Sequence, residues 1–275
     1  MTPEAPPAGQ ALAGAFAAPD RRAALMPYMM GGFPTVEESL GVGRAYAEYA
    51  DLMEVGVPFS DPLADGPAIQ LAGQRALEAG ATLERVLEDV TAPLAEHVPV
   101  VVMCYVNPLM AHGLEDAPMM LRTHGVSGLI VPDLPAAEAG DLRAACDEAD
   151  VALVPLVAPT TPPDEVEQIA RDARGFVYVV SVTGVTGERA ALPPELGEVV
   201  ELVRAAASVP VAVGFGVGTP EQVAEVGRIA DGVIVASRLV RAIEEADTFE
   251  AGLQDVRSFL GDSVRALSTP SPSDL

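Results

Sequence analysis

The stretch EVGVPFSDPLADGP, residues 54 to 67, sets Glu54 inside an apolar run and follows it with Asp61 and Asp65 among three prolines. A carboxylate between Leu52, Met53, Val55 and Val57 is costly unless it is paired, protonated or turned into a polar cavity. Strand alternation puts Glu54, Gly56 and Pro58 on one face, and Gly56 leaves open space beside the carboxylate. Burial raises a carboxyl pKa, which suits a group that must give and take a proton near neutrality. The competing reading is a structural ion pair with an arginine from another strand. Asp61 and Asp65 fall in the following loop, where Pro58, Pro62 and Pro67 stiffen the backbone and Gly66 permits a positive φ. Such a loop can hold a carboxylate over a site, although aspartate also serves turns through its own hydrogen bonding.

Composition narrows the chemistry. All 16 basic residues of the 275 are arginine, so Schiff-base catalysis and a phosphate-binding P-loop are excluded. The formal net charge of -24 argues against nucleic acid and anionic membranes as partners, since both recruit basic patches. His97, His112 and His124 stand apart without the spacing of metal ligands, and read as surface or helix-end residues. Cys104 and Cys146 suggest neither a disulfide framework nor a metal site. With no basic region before the short ALAGAFAA segment and no apolar run near membrane-spanning length, a cytoplasmic protein is expected.

The elements that must position these residues form a repeat. Eight apolar, often β-branched runs lie at 24–32, 52–58, 99–105, 128–133, 152–159, 176–182, 209–216 and 231–237. Between them lie helix-periodic segments such as VEESLGVGRAYAEYA, LERVLEDVTAPLAEH and PDEVEQIARDA. Continuous apolar strands imply burial on both faces, as in a parallel sheet. Eight strand-helix units point to an α/β fold, a single-domain TIM (β/α)8 barrel over residues 11–265, with an open doubly wound sheet as the alternative. Residues 1–10 and the tail 266–275 read as disordered, and the Ala-rich segment 11–18 as a short helix closing the barrel bottom.

In such a barrel the chemistry sits where strands end. GFGVGTPEQ follows the seventh strand and ASRLVRAI the eighth, where backbone N–H groups commonly hold a phosphate. Gly214 and Gly216 allow close approach and Ser237 offers a hydroxyl, although Thr219 and Pro220 also fit an ordinary helix start. SVTGVTGERAALPPE, 181–195, is long enough for a lid, with Gly184 and Gly187 as hinges and Thr186 as a polar contact. Tyr178, in the preceding strand, faces either the cavity or the core.

Together EVGVPFSDPLADGP, SVTGVTG, GFGVGTPEQV and YVNPL resemble the tryptophan synthase alpha chain family in order and spacing, from about residue 15 to 260. The resemblance implies a TIM barrel that cleaves indole-3-glycerol phosphate to indole and D-glyceraldehyde 3-phosphate without a cofactor. Indole then passes to a beta chain, which holds pyridoxal phosphate (PLP), in an αββα complex. It implies Glu54 as acid/base catalyst, Asp65 on the indole N–H, and Tyr178 near the substrate. Phe33, Met103, Tyr105, Ile130 and Leu156 would form the indole pocket; Gly184, Gly214, Gly216 and Ser237 would bind phosphate. Thr186 would meet Asp65 on lid closure, and Pro58, Asp61 and Asn107 would face the beta chain. One departure is Ala236 where many members have glycine, which would disturb the phosphate site if that position needed a positive φ. A related phosphate-binding barrel, indole-glycerol-phosphate synthase, would want a catalytic lysine that this chain lacks. A catalytically weak chain that only activates a beta chain is the remaining rival.

Overall fold

The computed structural model describes residues 7–17, 20–180, 194–214 and 216–268. Among the described residues nine strands appear, all pairing in parallel: β1 Ala24–Met30, β2 Met53–Gly56, β3 Val100–Met103, β4 Val126–Ile130, β5 Ala152–Leu153, β6 Leu156–Val157, β7 Val177–Val180, β8 Val211–Gly214 and β9 Gly232–Val235. Their order is β5-β4-β3-β2-β1-β9-β8-β7-β6. The two ends of that order are two halves of the expected fifth strand. Its first half pairs with β4 and its second with β7, so the sheet closes on itself and the doubly wound alternative falls.

The fifth strand breaks because Pro155 has no N–H to give. On either side, Val154 N–H donates to Leu129 O (2.8 Å) and Tyr178 N–H to Pro155 O (3.0 Å), so the ladder switches neighbours at the proline.

Inside the barrel, Ala24, Met26, Leu52, Val101, Ile130, Ala152, Val154, Phe176, Ala212 and Ile234 form one buried cluster with Leu12. Leu12 comes from the helix Ala8–Ala15, and Phe16 after it sits with its ring centroid 5.5 Å from that of Phe176. The Ala-rich segment therefore plugs the barrel bottom, as expected from sequence. That helix starts at Ala8, inside the stretch expected to be disordered through residue 10. At the other end, helix Phe249–Leu267 runs past residue 265, and Arg21 bridges Ser268.

A second, larger cluster fills the layer between strands and surrounding helices. Thr35, Thr82, Thr219 and Thr248 each cap a helix with the side-chain oxygen, and Gln222 completes a capping box with Thr219. These caps fix where each helix leaves its loop at the strand ends. Asp51 accepts from Leu25 N–H (2.8 Å) and pairs with Arg21 (2.7 Å), fastening the opposite end.

Candidate active site

Glu54 lies on β2, 2% exposed, beside Tyr28 of β1 and Val101 of β3 in the strand register. The ion-pair reading fails, because among the described residues no arginine pairs with Glu54, and its Oε2 is buried without a hydrogen-bond partner. Burial, reinforced by the nearby Asp65 carboxylate, pushes its pKa up to about 8. A glutamate in that range is protonated at neutral pH and can still ionise during a reaction.

Asp65 is held by the loop that follows β2. Pro62 O accepts from Asp65 N–H (3.1 Å), Asp61 O accepts from Leu63 N–H (2.9 Å), and Gln70 Nε2 donates to Asp65 O (2.9 Å). Tyr105, just after β3, fastens the loop: its hydroxyl accepts from Ala64 N–H (3.1 Å) and donates to the Asp65 carboxylate. Burial raises the Asp65 pKa to about 6, with the Tyr105 hydrogen bond acting against that rise. Gly66 caps the next helix with φ −82°, so the positive φ expected there is not used.

Two tyrosine hydroxyls complete the wall, and two glycines admit them. A Cβ on Gly56 would overlap the Tyr28 hydroxyl, and one on Gly214 would overlap the Tyr178 hydroxyl. Both phenols feel Glu54 and Asp65, and burial first and those carboxylates second hold them far above the usual tyrosine range. Glu54, Asp65, Tyr28, Tyr105 and Tyr178 thus form one electrostatically coupled group drawn from β1, β2, β7 and the loops after β2 and β3. Met103, Leu156 and Tyr178 pack on the inner cluster that contains Ile130, so these pocket residues come together.

Phe33 lies past the Gly31–Gly32 turn, buried in the same large cluster as Tyr28. The aromatic side chain that β1 itself sends toward Glu54 is Tyr28, which the sequence reading passed over. Alternation along ALMPYMM, which puts Ala24, Met26 and Tyr28 on one face, is the signal that finds it.

Gly214 ends β8 and the half-buried Gly216 follows it. Ser237 is buried and opens helix Ser237–Glu244 directly after β9, the strand paired with β8. Ala236 has a negative φ of −120°, so a penalty for alanine from a positive φ is absent. Gly184 and Thr186 lie outside the described residues, as does the rest of the 181–193 segment. Of the three residues expected at a partner interface, Asp61 and Asn107 are exposed, whereas Pro58 is buried within the chain. Leu63, between the two loop aspartates, is 94% exposed. No described helix is long and apolar enough to cross a membrane, and no described cluster could hold a metal ion.

The family model for the tryptophan synthase alpha chain matches residues 16–267. The chain belongs to the tryptophan synthase alpha chain family. A tryptophan synthase alpha chain of Carboxydothermus hydrogenoformans is 47% identical over 223 residues, covering 80% of this chain and 84% of that one. One from Chloroflexus aurantiacus is 43% identical over 252 residues, covering 90% and 94%. Among solved structures, tryptophan synthase of Mycobacterium tuberculosis superposes with a TM-score of 0.86 at 35% identity, covering 97% of this chain and 100% of that one. As a tryptophan synthase alpha chain, this protein is an indole-3-glycerol-phosphate lyase of tryptophan biosynthesis. The alpha chain of this family needs no cofactor, since PLP sits in the beta chain.

Proposed function

We propose that Glu54 carries the cleavage as a proton shuttle. Its protonated carboxyl gives a proton to C3 of the indole ring, turning the ring into an indolenine that can accept the electron pair of the C3–C3′ bond. The resulting carboxylate takes the proton of the C3′ hydroxyl as that bond breaks, releasing indole and glyceraldehyde 3-phosphate and restoring protonated Glu54. Asp65 accepts the indole N–H and stabilises the positive charge that develops at nitrogen. One observation supports this reading: Glu54 is buried with Oε2 lacking any hydrogen-bond partner, and burial and the nearby Asp65 carboxylate raise its pKa above that of Asp65. Two carboxyls pushed to different pKa values are suited to different jobs in one reaction.

Met103, Tyr105, Ile130, Leu156 and Tyr178 enclose the indole in this reading, and Gly214, Gly216 and Ser237 take the phosphate through backbone N–H groups and the serine hydroxyl. Support for the phosphate end is the pairing of β8 with β9, which brings both loops to one edge of the barrel mouth. Gly184 and Thr186 keep the roles the family resemblance implies. The exposed Asp61 and Asn107, with Leu63 between the aspartates, face a beta chain in an αββα assembly; solved structures of Mycobacterium tuberculosis tryptophan synthase superpose on this chain. The two free, buried cysteines suit a reducing cytoplasm.

The deciding assay is indole release from indole-3-glycerol phosphate, with and without beta chain, for the native chain and Glu54→Gln. Loss of turnover in the variant supports the shuttle. A variant retaining most of its turnover overturns it.

A further inference from the structure

Among the described residues, three buried side-chain polar atoms have no hydrogen-bond partner, and two of them, the Tyr28 hydroxyl and Glu54 Oε2, belong to this site. They sit on adjacent strands whose register places Tyr28 directly beside Glu54. A donor without an acceptor thus stands beside an acceptor without a donor. Leaving such groups unmatched in a dry interior costs about 1–3 kcal/mol each, so an arrangement that persists in a folded chain calls for a state in which it is relieved. Gly56 makes the juxtaposition possible, because any side chain there would take the space of the Tyr28 hydroxyl.

We propose that Tyr28 is a positioning residue for Glu54, its hydroxyl donating a hydrogen bond to Glu54 Oε2 once that carboxyl has given up its proton. This rests on the reading of Glu54 as the shuttle. In the resting site Glu54 is protonated and needs little from a donor. After protonation of indole C3 it is an anion in a buried site, and a hydrogen bond to an ion is worth roughly twice a neutral one. The other groups facing Glu54 do not supply that donor. Asp65, from the loop after β2, is a second acid that disfavours the anion. Tyr105, after β3, has its hydrogen committed to Asp65. Tyr178, on β7, also feels Glu54 and also packs its hydroxyl against a glycine, Gly214, but it is half-buried and its hydroxyl is not among the buried unpartnered atoms, as that of Tyr28 is. Tyr28 itself remains protonated across the working range, because burial and both carboxylates oppose its ionisation, so it keeps a hydrogen to donate.

The test is Tyr28→Phe, which removes one unpartnered oxygen and keeps the ring, so the fold is expected to survive with unchanged or higher Tm. Two readouts are needed: the pH profile of indole release in the αβ complex, and direct titration of the Glu54 carboxyl by carbon NMR on the isolated chain. Loss of a donor to the anion should raise the Glu54 pKa by about one unit and lower kcat roughly tenfold, the scale of one charge-assisted hydrogen bond, with smaller change in KM. A hydroxyl that only fills space would move neither readout. If both stay where they are while Glu54→Gln is inactive, the role of Tyr28 is overturned and the shuttle stands. If Glu54→Gln retains turnover, the shuttle falls and the role of Tyr28 falls with it.

Discussion

The Tyr178 hydroxyl occupies the place that a side chain on Gly214 would fill, so one residue fixes both the end of β8 and the position of a phenol beside Glu54 and Asp65. Gly214 in the proposed function also offers its N–H to phosphate. Gly214→Ala should therefore displace Tyr178 rather than unfold the strand, since overpacking of this kind costs about 1–3 kcal/mol. We expect at least a tenfold fall in kcat/KM for indole release with a cooperative unfolding transition preserved. Near-native kinetics would show that neither the phenol nor the phosphate loop depends on this glycine.

Glu54 links activity to stability. Its folded pKa of about 8 lies above the ordinary glutamate value of 4.5, so between those values the folded chain holds a proton that the unfolded chain has released. Stability from this group is full below pH 4.5 and is lost as pH rises through about 8. Asp65 acts in the same direction between 3.8 and about 6. Glu54→Gln cannot ionise, so relative to it the native chain should become progressively less stable from pH 5 to pH 8.5, while the variant loses about 100- to 10,000-fold in turnover. Urea unfolding midpoints for both chains across that range give the answer; a constant difference would mean Glu54 is ionised in the folded state well below pH 8.

The same contrast explains what could be read from the sequence. Glu54 was legible because a charge in a run such as LMEVGV violates the burial preference that defines the strand. Tyr28 stood out less, because an aromatic residue in ALMPYMM satisfies that preference; alternation gives its face, and only the structure shows its hydroxyl against Gly56 beside Glu54. Asp65 resembles a turn residue in the sequence, and only the structure shows Tyr105 holding it from the loop after β3. The eight-unit repeat was legible as long apolar runs, whereas the switch of partners at Pro155 depends on which neighbours lie on each side. Backbone freedom was over-read at Gly66 and Ala236, since neither position uses a positive φ.

Leu63 is nearly fully exposed on a loop stapled by its own backbone bonds and by Gln70. A large apolar side chain on a rigid exposed loop suits burial against a partner. Leu63→Asp should weaken association with the beta chain by at least about tenfold, read by titration of the complex, because it removes apolar contact and adds charge to a surface that is already acidic. An unchanged dissociation constant would place the beta chain elsewhere.

Tyr105 gives a pH test that separates the two carboxyls. Its hydroxyl lowers the Asp65 pKa by donating to the carboxylate and accepts Ala64 N–H at 3.1 Å. Tyr105→Phe removes both, so the Asp65 pKa should rise above about 6 and the loop should lose one anchor. If Asp65 must be ionised to stabilise charge on the indole nitrogen, the acid limb of the kcat/KM profile moves to higher pH. Activity near pH 6 then falls several-fold more than activity near pH 7.5. The alkaline limb, set by Glu54, should stay within a few tenths of a unit. A uniform loss at all pH values would instead assign Tyr105 to packing and loop placement, and an alkaline limb that moved while the acid limb did not would exchange the roles given to Glu54 and Asp65.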